Sequence, residues 1–353
     1  MAYRIAINGY GRIGRCVLRA LYESTDYPEL RIVALNDPAD TVTLAHLTRY
    51  DSTHGRFLGN VAYGVAGDSD KPNGADELIV DGDVLAVYHH LQPSQLPWRD
   101  LGVDLVMECS GAFSDRATAA GHIDSGAGRL LFSQPAENDV DATVVYGVNH
   151  DTLKAGDRII SNASCTTNCI VPVIRCLDES FGIENGVLTT IHSAMNDQPV
   201  IDAYHHNDLR KTRSAMQSII PVNTELARGI YRILPHLQDR FEAQAMRVPT
   251  VNVSAIDLSV VLSRECTVAA VNEAMMSASR RLPLNVLGCT SEPLTSCDFN
   301  HDPRSAIVDL TQTRVSGKHL LKMLTWFDNE WAYANRMLDV AQYLHTQFDD
   351  GVG

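Results

Sequence analysis

The stretch Tyr3–Asn8 followed by Gly9-Tyr10-Gly11-Arg12-Ile13-Gly14 decides the fold of the first part of this chain. Its first half is a short apolar run typical of a buried strand, and a helical pattern begins directly after it. In such a turn Gly9 permits the tight bend, Gly11 lets backbone N–H groups approach a pyrophosphate, and Gly14 lets the helix pack on the strand. Because the helix N-terminus adds partial positive charge, the motif predicts a dinucleotide-binding domain, with a plain glycine turn as the alternative.

An acidic residue at the end of the next strand indicates which dinucleotide is bound. The apolar run Leu30–Leu35 ends in Asn36-Asp37-Pro38, which places Asp37 23 residues after Gly14, where a ribose hydroxyl is usually held. A carboxylate there would repel a 2′-phosphate, since like charges about 4 Å apart cost about 4 kcal/mol at an effective dielectric constant of 20. The cofactor is therefore predicted to be NAD rather than NADP.

Strand patterns in the two halves of the chain predict two kinds of sheet. Further runs in the first half alternate with helical or loop segments and predict a doubly wound parallel α/β sheet; they are Val103–Met107, Arg129–Phe132, Ala142–Tyr146 and Arg158–Ile160. Later runs alternate like strands with one covered face and predict an α+β domain with a mostly antiparallel sheet; they are Gly186–Ile191, Phe241–Arg247, Val251–Leu262, Ser305–Leu310 and Leu320–Phe327.

Length and charge restrict the class of protein. A chain of 353 residues favours two domains, and its formal charge of -14 disfavours nucleic acid and anionic membrane surfaces as partners. The N-terminus lacks the features of a secretory signal, so we expect a cytoplasmic protein. Eight cysteines are too few for a disulfide scaffold in a chain of this length.

One cysteine lies where a nucleophile is expected. Ser161-Asn162-Ala163-Ser164-Cys165-Thr166-Thr167-Asn168-Cys169 follows a strand and precedes an apolar helical run. Cys165 is therefore expected at a helix N-terminus, where amide dipoles favour the thiolate, and Cys169 is expected to be buried and inert. Pro172 lies inside this helix and is expected to weaken or bend its first two turns.

A nucleophilic thiol needs a base, and His192 is the best candidate because it ends the strand-like run Gly186–Ile191. The alternative is a structural histidine. A metal site formed by Cys165, Cys169 and His192 would lack a fourth ligand and the usual short cysteine spacing, so no metal is expected. Lys211, Arg213 and Arg247, with hydroxyls such as Thr166 and Thr224, could bind a phosphorylated substrate, although each cation alone could simply be solvated.

Several motifs resemble those of the glyceraldehyde-3-phosphate dehydrogenase family, and together they span nearly the whole chain. They are Asn8–Arg15, Tyr50-Asp51-Ser52-Thr53-His54-Gly55, Ser161–Cys169, Met246-Arg247-Val248-Pro249-Thr250 and Asp328-Asn329-Glu330-Trp331. The resemblance implies an NAD-binding domain over residues 1–164, a catalytic domain over 165–328, and a C-terminal helix, 329–353, that packs on the first domain. It also implies a homotetramer.

The resemblance further implies roles for individual residues. Cys165 would be the nucleophile and His192 the base. Gly9, Gly11, Arg12, Ile13, Gly14 and Asp37 would contact the dinucleotide, and Asn329 would hold the nicotinamide carboxamide. Substrate-binding residues would be Ser164, Thr166, Lys211, Arg213, Thr224 and Arg247.

Within that family, three segments look like the branch that oxidises D-erythrose 4-phosphate with water as the final acceptor, a reaction that feeds pyridoxal phosphate synthesis. They are His192–Gln198 with Ile201–His205, Leu96–Arg99, and Asp298–Pro303. Met195 stands where glycolytic members usually carry a phosphate-binding threonine. Glu225, after Thr224, would repel an attacking phosphate unless its carboxylate turns outward.

Lys211 stands where relatives often have arginine, which leaves the exact grip on the substrate phosphate open. Two alternatives to the erythrose 4-phosphate branch remain. The first is the phosphorylating glyceraldehyde-3-phosphate dehydrogenase of glycolysis. The second is a protein that binds NAD without catalysis, and Cys165, His192 and Asn329 together argue against it.

Overall fold

The computed structural model describes residues 2–65, 75–205 and 208–349. Contacts within the chain define two compact units, which are Met1–Ser164 with Ala334–Gly353, and Cys165–Tyr333. The first unit thus takes in the C-terminal segment from Ala334 onward, whereas the sequence interpretation began that segment at residue 329.

The first unit contains a doubly wound sheet. Its described strands are β1 (Tyr3–Asn8), β2 (Leu30–Asn36), β3 (Tyr50–Asp51), β4 (Gly55–Arg56), β5 (Val61–Gly64), β6 (Asp76–Val80), β7 (Asp83–Tyr88), β8 (Leu105–Glu108), β9 (Arg129–Phe132), β10 (Ala142–Thr143) and β11 (Ile159–Ser161). Nine of them form one sheet in the order β10-β11-β9-β8-β1-β2-β7-β6-β5, while β3 and β4 pair separately. The pairs are parallel except β5–β6 and β6–β7, so the predicted α/β fold is confirmed.

Helices cover this sheet because its central strands are apolar on both faces. The helices are α1 (Arg12–Glu23), α2 (Thr41–Arg49), α3 (Arg116–Asp124) and, from the end of the chain, α7 (Trp331–Leu344), which begins in the second unit. Ile5, Ala6 and Ile7 of β1 are fully buried, as expected for a central strand with helices on both sides.

The second unit contains a mostly antiparallel sheet, as predicted. Its described strands are β12 (Ile183–His192), β13 (Ile220–Val222), β14 (Phe241–Arg247), β15 (Ser254–Leu262), β16 (Leu287–Thr290), β17 (Ala306–Asp309), β18 (Arg314–Ser316) and β19 (Leu320–Phe327). The order is β13-β14-β12-β15-β19-β17-β16, with β18 on β19, and only β12–β14 and β16–β17 are parallel among these pairs. Its helices are α4 (Cys165–Phe181), α5 (Leu226–Ile233) and α6 (Val268–Arg281).

Helix α4 runs through Pro172 without interruption, contrary to the expected weakening of its first two turns. Pro172 cannot donate a backbone hydrogen bond to Asn168, which costs helix stability. The flanking residues Ile170, Val171, Val173 and Ile174 are fully buried, and such tertiary packing supplies most of the stability of helices in proteins. Burial therefore outweighs the local preference of the proline.

None of the described helices is both long enough and apolar enough to span a bilayer.

Candidate active site

The turn after β1 contains three glycines, and the surroundings of each one differ. Gly9 has φ +88°, and a Cβ there would lie 2.3 Å from the backbone nitrogen of Ser110. A Cβ on Gly14 would lie 2.3 Å from the carbonyl oxygen of Gly9. A Cβ on Gly11, by contrast, would meet nothing within 4 Å, so open space adjoins the start of α1. This space lies beside the first N–H groups of the helix, and helix N-termini commonly bind phosphate groups.

Asp37 lies beside this turn, where the ribose was predicted to bind. Its Oδ2 accepts a hydrogen bond from the backbone N–H of Tyr10 at 2.8 Å, and Oδ1 accepts one from Ala39 N–H at 2.9 Å. The carboxylate is therefore held in one orientation at the end of β2, next to the glycine turn.

Arg12 and Ile13 form the first turn of α1, and both are partly buried. The Arg12 guanidinium forms an ion pair with Asp51, with Nη1 2.5 Å from Oδ2. Burial alone would raise the pKa of Asp51, but hydrogen bonds from the N–H groups of His54 and Thr53 and from Arg12 lower it to about 2. Because its side chain is held by Asp51, Arg12 is expected to contact a pyrophosphate through its backbone.

Cys165 is the first residue of α4. Two residues before it, Ala163 has a left-handed backbone conformation with φ +54°. The Cys165 Sγ lies 3.9 Å from Nε2 of His192, which ends β12 as the sequence predicted. The His192 Nδ1 lies 2.8 Å from the carbonyl oxygen of Ser193, to which it donates its hydrogen. In the neutral ring Nε2 therefore carries the lone pair and faces the sulfur.

Burial controls the protonation of this pair. It raises the pKa of the Cys165 thiol to about 12, because the backbone N–H groups of Thr166 and Cys165 offset only part of the desolvation cost and Glu330 and Asp328 oppose them. Burial also lowers the pKa of His192. Burial thus disfavours charge on both members of the pair and opposes the expected stabilisation of the thiolate by the helix N-terminus and by an imidazolium at His192.

Cys169, one turn further along α4, is fully buried, and burial raises the pKa of its thiol well above the ordinary value. A buried thiol in this state is a poor nucleophile and a poor metal ligand. Cys165 differs from it in being only partly buried and in having His192 Nε2 3.9 Å from its sulfur.

Asn329 is held in one orientation on the same unit as Cys165. Its Oδ1 accepts hydrogen bonds from the hydroxyls of Ser193, at 3.0 Å, and Ser254, at 2.8 Å. With its oxygen occupied twice, the amide presents its Nδ2 as the group that can donate to a ligand. Its role toward the nicotinamide carboxamide stays a prediction.

Two of the predicted cations meet beside the base. Arg247 ends β14 and pairs in register with His192 across the parallel β12–β14 ladder. Asp197 joins it to Lys211, with Oδ1 2.5 Å from Arg247 Nη1 and Oδ2 2.8 Å from Lys211 Nζ. Burial alone would raise the pKa of Asp197, but the hydrogen bonds from Lys211 and Arg247 lower it.

Sequence reasoning missed Asp197 as a site residue. The available signal was an acidic residue in the same polar loop that supplied candidate phosphate ligands. Asp197 pairs with both cations, so their predicted role as phosphate ligands stays a prediction.

The remaining predicted substrate residues do not all join this cluster. Arg213 pairs with Asp202 at 2.8 Å, and its side chain is 65% exposed. Thr224 Oγ1 accepts a hydrogen bond from Leu226 N–H at 3.2 Å at the start of α5. Ser164 and Thr166 flank Cys165 and are partly buried.

Glu225 turns outward. Its Oε2 lies 2.9 Å from Arg228 Nη1, and its side chain is 68% exposed. The repulsion that Glu225 was expected to exert on an attacking phosphate therefore loses its structural basis.

Comparison with known families agrees with this arrangement. Residues 3–116 match the profile described as glyceraldehyde 3-phosphate dehydrogenase, NAD binding domain, and residues 164–329 match the profile of the C-terminal domain of the same enzyme. The fold and the two matches define an NAD-dependent oxidoreductase, and the predicted cofactor is confirmed. The chain belongs to the glyceraldehyde-3-phosphate dehydrogenase family.

Proposed function

We propose that this protein oxidises D-erythrose 4-phosphate to 4-phospho-D-erythronate with NAD, through a thioester on Cys165 that water hydrolyses. The observation that carries the chemistry is the 3.9 Å approach of Cys165 Sγ to His192 Nε2. The product would feed pyridoxal phosphate synthesis, as the resemblance of three segments to the erythrose 4-phosphate branch implies.

The first step forms a carbon–sulfur bond. As Sγ attacks the aldehyde carbon, its proton passes to His192 Nε2, which is positioned to accept it because Nδ1 is held by the Ser193 carbonyl. The backbone N–H of Cys165 and the new imidazolium stabilise the alkoxide. Transfer of the imidazolium proton to the alkoxide gives a hemithioacetal and returns neutral His192.

The second and third steps use His192 again as base. His192 removes the hydroxyl proton, so that the C–H electron pair leaves as hydride and a thioester remains on Sγ. NAD, when bound, supplies the acceptor for that hydride. After the proton has gone to solvent, His192 deprotonates a water that attacks the thioester carbon. The C–S bond then breaks, the acid is released, and the imidazolium returns its proton to Sγ, which restores the thiol and neutral His192.

Lys211 and Arg247 would hold the substrate phosphate. In the ligand-free chain Asp197 occupies both cations at 2.8 and 2.5 Å. A phosphate dianion would compete with this carboxylate for the same donors, and Arg247 would place it directly beside His192.

Met195 supports the longer substrate over the glycolytic one. It stands in the loop after His192 and is 47% exposed, so it offers no hydroxyl where glycolytic members usually carry a threonine. The substrate phosphate would then be bound by Lys211 and Arg247. The segments His192–Gln198 and Asp298–Pro303 also resemble those of the erythrose 4-phosphate branch.

The second candidate is a phosphorylating glyceraldehyde-3-phosphate dehydrogenase. The outward orientation of Glu225 favours it, because a carboxylate that is exposed and paired with Arg228 repels an attacking phosphate less.

An NADH assay with each aldehyde, with and without inorganic phosphate, separates the two candidates. We expect turnover of D-erythrose 4-phosphate without inorganic phosphate and 4-phosphoerythronate as the product. A strict requirement for phosphate, with an acyl phosphate as the product, would establish the second candidate instead.

We further propose that the protein is a homotetramer. The polar loop after His192 exposes large apolar side chains that a solvated loop would not favour; Val200, Ile201, Leu209 and Ile219 are 72, 78, 84 and 66% exposed. Strand β12 also exposes Val187 and Ile191, at 55 and 37%. Light scattering after size exclusion is expected to give four times the chain mass of 38.7 kDa, and a monomer mass would refute the proposal.

A further inference from the structure

A chain of buried polar side chains crosses the carboxyl ends of strands β8, β1 and β2. Glu108 ends β8, Asn8 ends β1 and Asn36 ends β2, and they are 0, 6 and 5% exposed. Glu108 Oε2 accepts from Asn8 Nδ2 at 2.5 Å, and Asn8 Oδ1 accepts from Asn36 Nδ2 at 2.7 Å. The Asn36 amide then bonds to both the N–H and the carbonyl of His90, just after β7, at 2.9 Å each. We call Glu108, Asn8 and Asn36 the polar belt.

The polar belt holds both sides of the glycine turn. Asn8 directly precedes Gly9, and its carbonyl accepts from Cys109 N–H at 2.7 Å. The other carboxylate oxygen of Glu108, Oε1, accepts from the backbone N–H of Ser110 at 2.8 Å and from its hydroxyl at 2.5 Å. The Ser110 nitrogen fills the space that a Cβ on Gly9 would need. The Glu108 carboxylate therefore bonds both to Asn8, which precedes Gly9, and to Ser110, which packs against Gly9.

Two further buried side chains, Trp98 and His122, pack beside this carboxylate. The Trp98 Nε1–H donates to His122 Nδ1 at 2.9 Å, and an indole nitrogen can only donate. His122 Nδ1 must then carry the lone pair, which puts the ring hydrogen on Nε2, 3.3 Å from Glu108 Oε2. All three side chains are fully buried. Three hydrogen bonds thus reach the two carboxylate oxygens, from Asn8 Nδ2, the Ser110 N–H and the Ser110 hydroxyl, while His122 Nε2 lies beside Oε2 without a hydrogen bond to it.

We propose that Glu108 is a positioning residue for NAD, which holds the glycine turn and the start of α1 in the geometry that receives the pyrophosphate. The proposal rests on the assignment of this unit as NAD-binding and does not depend on which aldehyde is oxidised. Glu108 belongs to the first unit and Cys165 to the second. Loss of the Glu108 carboxylate should therefore weaken NAD binding without changing the reactivity of the Cys165 thiol.

The variant Glu108→Gln tests this directly. It keeps the shape of the side chain but replaces an acceptor oxygen with a donating amide, which must face either the donors of Ser110 or the Asn8 Nδ2 donor. We expect the Kd for NAD to rise about tenfold, with kcat at saturating NAD and the alkylation rate of Cys165 without NAD each within twofold of wild type. Glu29→Gln, an exposed change before β2, is the matched control and should leave all three unchanged.

A compensating variant separates a specific hydrogen-bond role from general loss of structure. Adding Asn8→Asp to Glu108→Gln moves the carboxylate one side chain along the polar belt, where it can accept from the new amide and from Asn36. We expect NAD affinity to return to within about threefold of wild type. Should Glu108→Gln fail to fold, Ser110→Ala removes one of the three donors, its hydroxyl, and it is expected to raise the Kd two- to threefold.

The proposal is overturned if folded Glu108→Gln binds NAD within twofold of wild type. It is equally overturned if the alkylation of Cys165 falls together with NAD affinity, or if Asn8→Asp gives no recovery. An unchanged Kd in Ser110→Ala would overturn it where only that variant can be measured.

Discussion

Cys165 and His192 face each other with Sγ 3.9 Å from Nε2, and the Ser193 carbonyl fixes the tautomer of the imidazole. Burial disfavours charge on both side chains. Attack by the sulfur is therefore expected to be coupled to transfer of its proton to His192 Nε2. This relationship determines how the enzyme should respond to pH and to substitution.

Replacing His192 should reduce turnover without preventing substrate binding. His192→Asn removes the proton acceptor at Nε2, and general-base catalysis typically contributes about 10²–10⁴-fold. We expect kcat to fall by about that factor, with the Kd for NAD unchanged. Stopped-flow measurement of NADH formation checks this, and a loss below tenfold would mean that another group takes the proton.

The alkylation of Cys165 should keep accelerating at high pH. Only the thiolate reacts, so with a pKa near 12 the iodoacetamide rate should rise about tenfold per pH unit across pH 7–10. An unperturbed thiol, with a pKa of about 8.5, would reach its plateau before pH 10. An early plateau, or a fast rate already at pH 6, would show that the sulfur rests as a thiolate.

Asp197 should act as a competitor of the substrate phosphate. Asp197→Asn removes the charge that neutralises Lys211 and Arg247, and partly exposed ion pairs of this kind are worth up to about 1 kcal/mol. We expect inhibition by inorganic sulfate to strengthen roughly three- to fivefold. Asp202→Asn, whose partner Arg213 is exposed, is the matched control, and equal effects of the two changes would contradict this role.

Alanine at Gly14 and alanine at Gly11 should affect different properties, the first the stability of the protein and the second its affinity for NAD. Gly14→Ala places a Cβ 2.3 Å from the Gly9 oxygen and should destabilise the ligand-free protein by about 1–3 kcal/mol, as overpacking does. Gly11→Ala meets open space and should leave the ligand-free stability unchanged while weakening NAD binding. Thermal unfolding with and without NAD measures both, and a loss of ligand-free stability in Gly11→Ala would contradict the assignment.

Much of the fold could be predicted because buried strands leave a clear apolar pattern. Tyr3–Asn8, Arg129–Phe132, Phe241–Arg247 and Leu320–Phe327 match the predicted bounds, and the glycine turn follows from its spacing. Strands β5, β6 and β7, which form the antiparallel end of the sheet, were missed because this end is partly exposed and lacks a continuous apolar pattern; Tyr63 and Val84 are 42 and 58% exposed.

The positions of Cys165 and His192 were predictable, because a helix start and a strand end are visible in sequence. Their protonation was not, since it depends on how deeply the fold buries them and on Glu330 and Asp328, more than 160 residues away from Cys165. The same holds for Glu225, because only the structure shows that it turns to Arg228.

Trapping the acyl intermediate tests the account most directly. The protein is mixed with NAD and D-erythrose 4-phosphate without inorganic phosphate, quenched in acid after less than one turnover, and the peptide containing Cys165 is analysed by mass spectrometry. We predict a phosphoerythronyl thioester on Cys165 that forms with NADH and then decays to the free acid, with no adduct in Cys165→Ser. An adduct that persists until phosphate is added, or NADH formation with no adduct on Cys165, would contradict the account.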